Sequence, residues 1–310
     1  MILARKRSTP RGGSVHKIIR KVCLLMETSG NKGVRMHRER VSENVFWFQS
    51  EVYAQVTAGV VAGPQWAVVI DTLALPDETL AIREFIEREL SVPVRYVINT
   101  HYHADHTWGN CFFPGATIVA HARCRELLIE RGEPSLEAAK KQNPALRQVK
   151  IVPPQMTFVN GEMTLRVGKK NLIIAPAFGH SEDGISALVE EDRILFAGDA
   201  FMPVPYIVDG DVDESIASIK RIAKMGLENI VQGHGDIILR GEIDAAVKEN
   251  LNYLTVMKKA VKSIARKKNA EDLLEGITLE ECGKSRVYLG GLARDLHQRN
   301  LYALLQRMRR

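Results

Sequence analysis

The feature that most constrains this chain is a short strand that runs straight into a cluster of metal-ligand side chains. Residues 94–98 (VRYVI) have the β-branched and aromatic character of a strand, and residues 99–110 continue as NTHYHADHTWGN. α/β folds place their functional side chains on loops at the carboxyl ends of strands. This segment therefore predicts a metal-binding loop at the end of a sheet strand.

The spacing within this loop predicts two neighbouring ion sites. In extended backbone, side chains at positions i and i+2 project to the same side, so His101 and His103 can hold one ion together. Asp105 and His106 come next, are turned away, and can hold a second ion. Imidazole nitrogens and carboxylate oxygens suit borderline ions such as zinc. We therefore expect two zinc ions per chain, with iron or manganese as alternatives.

Three later positions repeat the arrangement of a ligand side chain just after a predicted strand. Each is adjacent to glycine, which allows the backbone to turn sharply; the three are His180, Asp199 and His234. The remaining histidines lack this context and are interpreted as structural or solvated: His16, His37, His121 and His297.

The order of elements predicts an α/β fold. Short runs rich in β-branched and aromatic residues indicate strands, and apolar residues at helical spacing indicate helices. The predicted strands are residues 45–48, 53–61, 66–70, 94–98, 117–120, 163–167, 171–176, 185–189, 194–196 and 228–231. The predicted helices are residues 77–90, 122–130, 214–225, 242–265 and 287–308. Strands lead and helices follow in both halves, which suggests two sheets sandwiched between helices.

The distribution of charge argues against a nucleic-acid partner. The net charge is +6, but residues 1–35 contribute +8 and residues 258–310 contribute +7, which leaves −9 on residues 36–257. A surface that follows a phosphate backbone should itself be basic. The segment with every candidate ligand is acidic, so a small-molecule substrate is favoured.

Cysteine usage and hydropathy predict a cytoplasmic protein. The four cysteines form no CxxC pair and are interpreted as reduced thiols; they are Cys23, Cys111, Cys124 and Cys282. The apolar runs are far shorter than the roughly 20 residues that cross a bilayer. We recognise no signal peptide and expect no membrane association.

The complete set of candidates, with Asp71 at the end of an earlier strand, resembles the five ordered motifs of the metallo-β-lactamase superfamily. The match extends from about Val45 to about Gly241. The resemblance implies an αββα sandwich of two mixed β-sheets flanked by helices, with the metals in a groove along one edge of the sheets. The chain then divides into a flexible basic arm (1–35), a catalytic domain of this superfamily (41–268) and a helical C-terminal extension (269–310).

The resemblance also implies a role for each candidate. Three histidines would hold the first ion: His101, His103 and His180. Three side chains would hold the second ion: Asp105, His106 and His234. Asp199 would bridge both ions, and Asp71 would orient the ligand loop from outside the ligand set.

These roles predict a hydrolase. Zinc lowers the pKa of bound water to about 7, so a metal-bound hydroxide would be available to attack a carbonyl carbon or a phosphorus atom. The ions would stabilise the oxyanion that develops. Asp105 and Asp199 are the catalytic candidates, and Asp105 could pass a proton to the leaving group.

The residue type at position 199 narrows the substrate classes expected within the superfamily. True β-lactamases of the largest subclass have cysteine where this chain has Asp199. An aspartate there is typical of lactonases, thioesterases and phosphodiesterases, so a small ester, lactone, thioester or amide is the favoured substrate. The alternatives are a phosphodiesterase or nuclease of the same fold, and an oxidoreductase similar to mono-iron persulfide dioxygenases.

Side chains close to the ligands in sequence are candidates for the substrate wall. They are Trp108, Phe201, Met202 and Tyr206. Residues 202–213 could form a rim over the groove, and the helical insertion 122–147 could add to the wall. The leucine-rich C-terminal helix could pack on its own domain or on a second subunit, so a homodimer is possible.

Overall fold

Two mixed β-sheets form the centre of a computed structural model that describes residues 34–309. The seven strands of the first sheet lie side by side in chain order. They are β1 (Met36–Ser42), β2 (Val45–Ser50), β3 (Thr57–Ala62), β4 (Ala67–Ile70), β5 (Val94–Ile98), β6 (Thr117–His121) and β7 (Met156–Phe158). Strands β1 to β4 are antiparallel, and β4 to β7 are parallel. The predicted arm, residues 1–35, lies outside the described residues except for its last two positions.

The second sheet contains six strands in the order β13-β12-β11-β10-β9-β8. They are β8 (Met163–Val167), β9 (Lys170–Pro176), β10 (Ile185–Val189), β11 (Ile194–Gly198), β12 (Asn229–Gln232) and β13 (Ile238–Leu239). Strands β11 and β12 pair in parallel, and the other neighbours are antiparallel.

Helices cover the outer face of each sheet. Helix α1 (Pro76–Glu84) packs on the first sheet; the helices that follow it are α2 (Ala104–Thr107), which lies in the loop after β5, α3 (Ala122–Leu127), α4 (Glu133–Lys140), α5 (Val212–Ile222), α6 (Ile243–Ile264), α7 (Ala270–Leu273) and α8 (Ala293–Met308), of which α5, α6 and α8 pack on the second sheet. Single π-helical turns extend α1 (Phe85–Glu89) and α3 (Leu128–Gly132). Helix α5 shows why such segments become helical: its first residue follows Asp211, whose side chain accepts hydrogen bonds from two orphan amides of the first turn.

Alternation of side chains along buried strands builds three apolar layers. Between the sheets, Ile98 and Phe196 belong to one cluster. Their sequence neighbours point the other way, because successive side chains of a strand project to opposite faces. Val97 packs with Ile82 of α1, and Leu195 packs with the helices of the second sheet. The predicted αββα sandwich is confirmed.

Three strands were not predicted, and one was predicted too long. Strand β1 is mostly exposed and rich in charge, so it shows no apolar alternation, and β7 and β13 are very short. The predicted strand 53–61 begins only at Thr57. Ala54 and Gln55 have φ angles of 49° and 52°, in the left-handed region, and turn the chain before the strand starts.

The C-terminal helix begins later than predicted and packs on its own chain. Leu289 and Gly290 have φ angles of 56° and 63°, which interrupt the helix predicted for residues 287–308. Helix α8 buries Leu301, Leu304 and Leu305 in the same apolar cluster as α5 and α6. The leucine-rich helix therefore packs on its own chain, which is one of the two placements that the sequence allowed.

No helix within residues 34–309 has the length and apolar character needed to cross a membrane. Cys111, Cys124 and Cys282 form no disulfide, as predicted, and Cys23 lies outside the described residues.

Candidate metal centre

All seven predicted ligands meet at one end of the sandwich. The loop after β5 carries four of them, and the loops after β9, β11 and β12 carry one each. They are His101, His103, Asp105, His106, His180, Asp199 and His234. Because parallel strands of one sheet end at the same edge, and the two sheets are stacked, positions far apart in sequence become neighbours.

The first group surrounds a single point. Nδ1 of His103 lies 3.0 Å from Nε2 of His101 and 2.9 Å from Nε2 of His180. Oδ2 of Asp199 lies 3.2 Å from Nε2 of His180. The ligand atoms of these four residues all lie within 4.8 Å of one another. Three nitrogens and one oxygen so close together form a cage for a cation.

The second group lies beside the first and shares Asp199 with it. Asp105, His106 and His234 place one ligand atom each within 4.8 Å of the others. Nε2 of His234 is 3.5 Å from Oδ2 of Asp105 and 3.5 Å from Oδ2 of Asp199. Nε2 of His106 is 3.3 Å from Oδ1 of Asp199. The Asp199 carboxylate therefore faces both groups, as a bridging ligand must.

Two atoms at the centre of this arrangement are buried without a hydrogen bond: Nε2 of His106 and Oδ1 of Asp199. Leaving a buried polar atom unsatisfied costs roughly 1–3 kcal/mol. A cation held between these atoms removes that penalty for both. Five imidazoles and two carboxylates are also the donor types that zinc and similar divalent ions take in proteins. The residues present therefore fit a pair of metal ions.

Four of the five ligand histidines have an outer nitrogen that faces a carbonyl or carboxylate oxygen, which determines the nitrogen that faces the centre. Nδ1 of His180 donates to the carbonyl of Tyr206 at 2.7 Å, and Nδ1 of His234 donates to the carbonyl of Ala54 at 2.9 Å. A carbonyl only accepts, so the proton is on Nδ1 and the lone pair of Nε2 points inward.

His103 is held in the opposite orientation. Its Nε2 lies 3.0 Å from Oδ2 of Asp209, so its Nδ1 faces the centre. The Tyr102 hydroxyl donates to the same carboxylate oxygen at 3.1 Å, and Nη1 of Arg131 donates to that hydroxyl at 3.3 Å. Asp209, Tyr102 and Arg131 were not among the predicted site residues. Tyr102 stands inside the ligand motif, but only the fold brings Asp209 to it.

Asp71 ties the ligand loop to the end of β4. Its Oδ2 lies 2.8 Å from Nδ1 of His106 and accepts the Thr100 hydroxyl at 2.7 Å, while its Oδ1 accepts the Thr100 amide at 2.8 Å. The carboxylate thus contacts the outer side of a ligand, which is the position that the family resemblance implies.

A pair of asparagines closes the ligand loop at its two ends. Each of Asn99 and Asn110 donates its amide to the other's carbonyl oxygen at 2.9 Å. Between them, the His106 carbonyl accepts the Thr72 amide at 3.1 Å. Gly109 lies so close to Thr72 that a Cβ atom there would stand 2.2 Å from the Thr72 carbonyl oxygen. No role was predicted for Asn99, Gly109 and Asn110, although they lie within the segment NTHYHADHTWGN, because their contacts form only in the packed structure.

Burial and charge act in opposite directions on the ligands. Burial lowers the pKa of His101 well below its usual value and that of His180 to about 4. For His106 and His234 burial is the largest single effect and also acts to lower the pKa, but Asp199 and the other nearby carboxylates together outweigh it and the pKa is raised. Burial alone would raise the pKa of Asp199, yet the surrounding histidines keep it well below its usual value. Asp199 therefore stays a carboxylate, ready to bind a cation.

The predicted substrate-wall residues lie in different surroundings. Trp108 is 3% exposed and packs with Leu136 of α4, so the insertion covers it. Phe201 and Met202 are 1% and 3% exposed, and Phe201 belongs to the core beneath the second sheet. Tyr206 is half-buried, with its ring centre 5.9 Å from that of His180. Contact of any of them with a substrate stays a prediction.

The described histidines outside the centre have local contacts. Nε2 of His121 donates to the Val159 carbonyl at 2.9 Å, and Nε2 of His297 donates to the Ile277 carbonyl at 2.9 Å. His37 is exposed, 3.5 Å from Glu51. His16 lies outside the described residues.

Known proteins share this fold and parts of this sequence. The chain is 31% identical over 176 residues to Thioesterase pkgB of Emericella nidulans, across 57% of this chain and 41% of that protein. It is 28% identical over 222 residues to Lactamase-like protein nscB of Arthroderma gypseum, across 69% of this chain and 63% of that protein. The chain thus spans about half the length of these curated relatives.

Among solved structures, a metallo-β-lactamase from Pontibacter korlensis superimposes with a TM-score of 0.58 at 19% identity, covering 69% of this chain and 98% of the other. Identity this low supports the fold alone. The family model described as the metallo-beta-lactamase superfamily matches residues 53–234, which contain all seven ligands. The chain therefore belongs to the metallo-β-lactamase superfamily.

Proposed function

We propose that this protein is a hydrolase with two metal ions that cleaves a small-molecule thioester or a related ester, lactone or amide. The observation that carries the proposal is the orientation of the seven ligand side chains. Each histidine whose outer nitrogen donates to a carbonyl or carboxylate turns its lone pair toward a centre where two buried atoms have no hydrogen bond.

The two ions would be held by the two groups described above, with Asp199 between them. When bound, zinc would supply a water of lowered pKa and positive charge that stabilises an oxyanion. The protein's own contribution is orientation: Asp71, Asp209 and the carbonyls of Tyr206 and Ala54 hold the imidazoles in one tautomer and one direction.

Asp105 is our candidate for proton transfer to the leaving group. Its side chain is 17% exposed, whereas that of Asp199 is only 4% exposed. Asp105 therefore reaches closer to solvent and to an entering substrate than the bridging carboxylate does. Loss of a proton donor of this kind typically reduces the rate by roughly 10²–10⁴-fold.

The thioester preference rests on relatives. One curated relative is named a thioesterase, and Asp199 replaces the cysteine found in the largest β-lactamase subclass. The acidic charge of residues 36–257 weighs against the nuclease alternative. A single-iron oxidoreductase would need only one of the two groups, yet both groups have a full set of ligand side chains.

The test is a substrate panel on zinc-loaded protein, with metal content measured on the same samples. The panel contains a thioester, a p-nitrophenyl ester, a lactone, a chromogenic β-lactam and bis(p-nitrophenyl) phosphate. We expect two ions per chain and fastest cleavage of the thioester, and we expect D199A to abolish turnover. D213N is the matched control, because Asp213 is exposed and pairs with Lys258 away from the ligands.

Other results would overturn the proposal in distinguishable ways. Fastest cleavage of the phosphodiester would favour the nuclease. One iron per chain with oxygen uptake on a persulfide would favour the oxidoreductase. Wild-type activity in D199A would contradict the bridging assignment itself.

A further inference from the structure

The loop of residues 205–211 contacts two histidines of the first group. Its Tyr206 carbonyl accepts the hydrogen bond from Nδ1 of His180, and its Asp209 carboxylate lies 3.0 Å from Nε2 of His103. Both contacts are on the outer side of a ligand. Movement of this one loop would therefore turn two of the three imidazoles that form the first group.

The C-terminal helix α8 holds this loop from behind. Oδ1 of Asn300 accepts the Ile207 amide at 2.9 Å, and its Nδ2 donates to the Pro205 carbonyl at 2.7 Å. Arg307 donates to the carbonyls of Ile207 and Val208, from Nη1 at 2.9 Å and from Nη2 at 2.6 Å. Four hydrogen bonds from two side chains thus attach three loop residues, Pro205, Ile207 and Val208, to α8.

Packing leaves the loop little freedom to move on the other side. A Cβ atom on Gly210 would lie 2.0 Å from the Gly179 carbonyl oxygen, and the Asp211 amide donates to that same carbonyl at 2.8 Å. The loop is therefore enclosed between α8 and the turn that carries His180. If the loop loses its hydrogen bonds to α8, its displacement therefore shifts the His103 and His180 rings, because the loop has no free space on its other side.

The second group is oriented by other parts of the fold. His106 is held by Asp71 at the end of β4, and His234 is held by the Ala54 carbonyl in the turn before β3. Neither contact involves the loop of residues 205–211 or α8. In the first group, Nδ1 of His101 lies 3.1 Å from the Thr100 hydroxyl, which donates to Asp71, so His103 and His180 are the two ligands that the loop of residues 205–211 orients separately from the second group.

We infer that α8 is a positioning element for the first ion site alone, acting through Arg307 and Asn300. Both residues lie outside the part of the chain that matches the family, residues 53–234. Leu301, Leu304 and Leu305 also anchor α8 in the apolar core, apart from these polar contacts. Asn300 is fully buried, and its amide satisfies the loop backbone. The inference rests on the two-ion site proposed above.

The test is a zinc titration of the metal-free full-length chain by calorimetry. R307A should weaken one of the two zinc-binding steps about tenfold and leave the other unchanged, since orienting contacts around a ligand typically contribute at least that much to affinity. R309A is the matched control: Arg309 directly follows the last residue of α8 and also donates to two backbone carbonyls, those of Ala265 and Lys267, and to Glu271, none of which is a ligand or contacts one.

Two ligand variants, each combined with R307A, show which of the two zinc-binding steps is weakened. With His180→Ala, which removes a ligand of the first group, R307A should have no further effect on the remaining step. With His234→Ala, the tenfold loss should persist. Unfolding of the metal-free proteins is measured alongside, and we expect R307A and R309A to melt alike, which separates positioning from a general loss of stability.

The inference is overturned if R307A binds both zinc ions with wild-type affinity or weakens both steps equally. If R307A does not fold, R307Q decides, because glutamine is shorter than arginine and has one nitrogen in place of the two that reach the Ile207 and Val208 carbonyls; affinity equal to wild type in both steps overturns the inference. A wild-type chain that binds fewer than two ions contradicts the proposed function instead.

Discussion

Asp71 accepts three hydrogen bonds, and the one from His106 joins the end of β4 to a ligand of the second group at 2.8 Å. D71N keeps the shape of the side chain but removes its charge and part of its capacity to accept. We expect zinc affinity at the second site to fall about 10–100-fold. Competition with a chromophoric chelator measures this loss, and D77N on the exposed first turn of α1 should bind zinc like wild type. Unchanged affinity in D71N would show that Asp71 does not orient His106.

Gly109 tests how tightly the ligand loop is packed. An alanine Cβ at this position would lie 2.2 Å from the Thr72 carbonyl oxygen and 2.5 Å from Oγ1 of Thr79, so the backbone must shift. Overpacking of this kind costs about 1–3 kcal/mol of unfolding free energy, and the shift should also weaken zinc binding. Denaturant unfolding compares G109A with G276A, where no atom lies within 4 Å of the added Cβ. Equal stability of the two variants would contradict the predicted clash.

Burial of the Glu78 carboxyl group predicts that the protein loses stability as the pH rises. The side chain is 2% exposed, and burial raises its pKa from 4.5 to about 7, an effect that the nearby Ser50 hydroxyl only partly offsets. Because the folded pKa is higher than the unfolded one, the folded state binds more protons between these values, and stability falls as pH rises from about 4.5 to about 7. E78Q cannot ionise and should be more stable than wild type at pH 8 by up to about 3 kcal/mol.

The measurement for Glu78 is denaturant unfolding of the metal-free protein at pH 4.5, 6 and 8. The difference between E78Q and wild type should be largest at pH 8 and should disappear near pH 4.5. E84Q is the control, since Glu84 lies on the same helix with a side chain that is 58% exposed. A gap between E78Q and wild type that does not change with pH would exclude ionisation of Glu78 as its cause.

Metal binding should contribute directly to stability. A ligand that binds only the folded state stabilises it by about 4 kcal/mol when its free concentration is about a thousand times its dissociation constant. Zinc should therefore raise the melting temperature, and a chelator should reverse the rise. Magnesium prefers oxygen ligands, and this histidine-rich site should respond to it weakly. Equal stabilisation by both ions would argue against binding at the histidine groups.

Local pattern was enough to predict the strands that precede the ligands and the ligand types themselves. Strands β5, β9, β11 and β12 were all expected close to where they lie, because apolar β-branched runs are a local signal. The histidines and aspartates were recognisable because each follows such a run and stands beside glycine or other ligands. Strand β1 escaped prediction because it is exposed and charged, which removes the apolar alternation that marks a half-buried strand.

Apart from the contact of Asp71, which the family resemblance implied, the contacts that orient the ligands could not be predicted. Asp209 reaches His103 across 106 residues, and the Ala54 carbonyl reaches His234 across 180 residues. Neither contact can be recognised from the local sequence. Every residue has a backbone carbonyl, and Asp209 does not differ in its sequence context from other loop aspartates. Their role depends on the register with which loops from different strands meet.

The amino-acid sequence alone determined which side chains can bind metal, in what order they occur and that each follows a strand, because these properties depend on residue type and short-range periodicity. Tertiary structure decided which nitrogen of each imidazole faces the centre and which segment holds it there. Those features depend on distances between loops that are separated in the chain, and such distances exist only once the two sheets have packed and α8 has docked against the loop of residues 205–211.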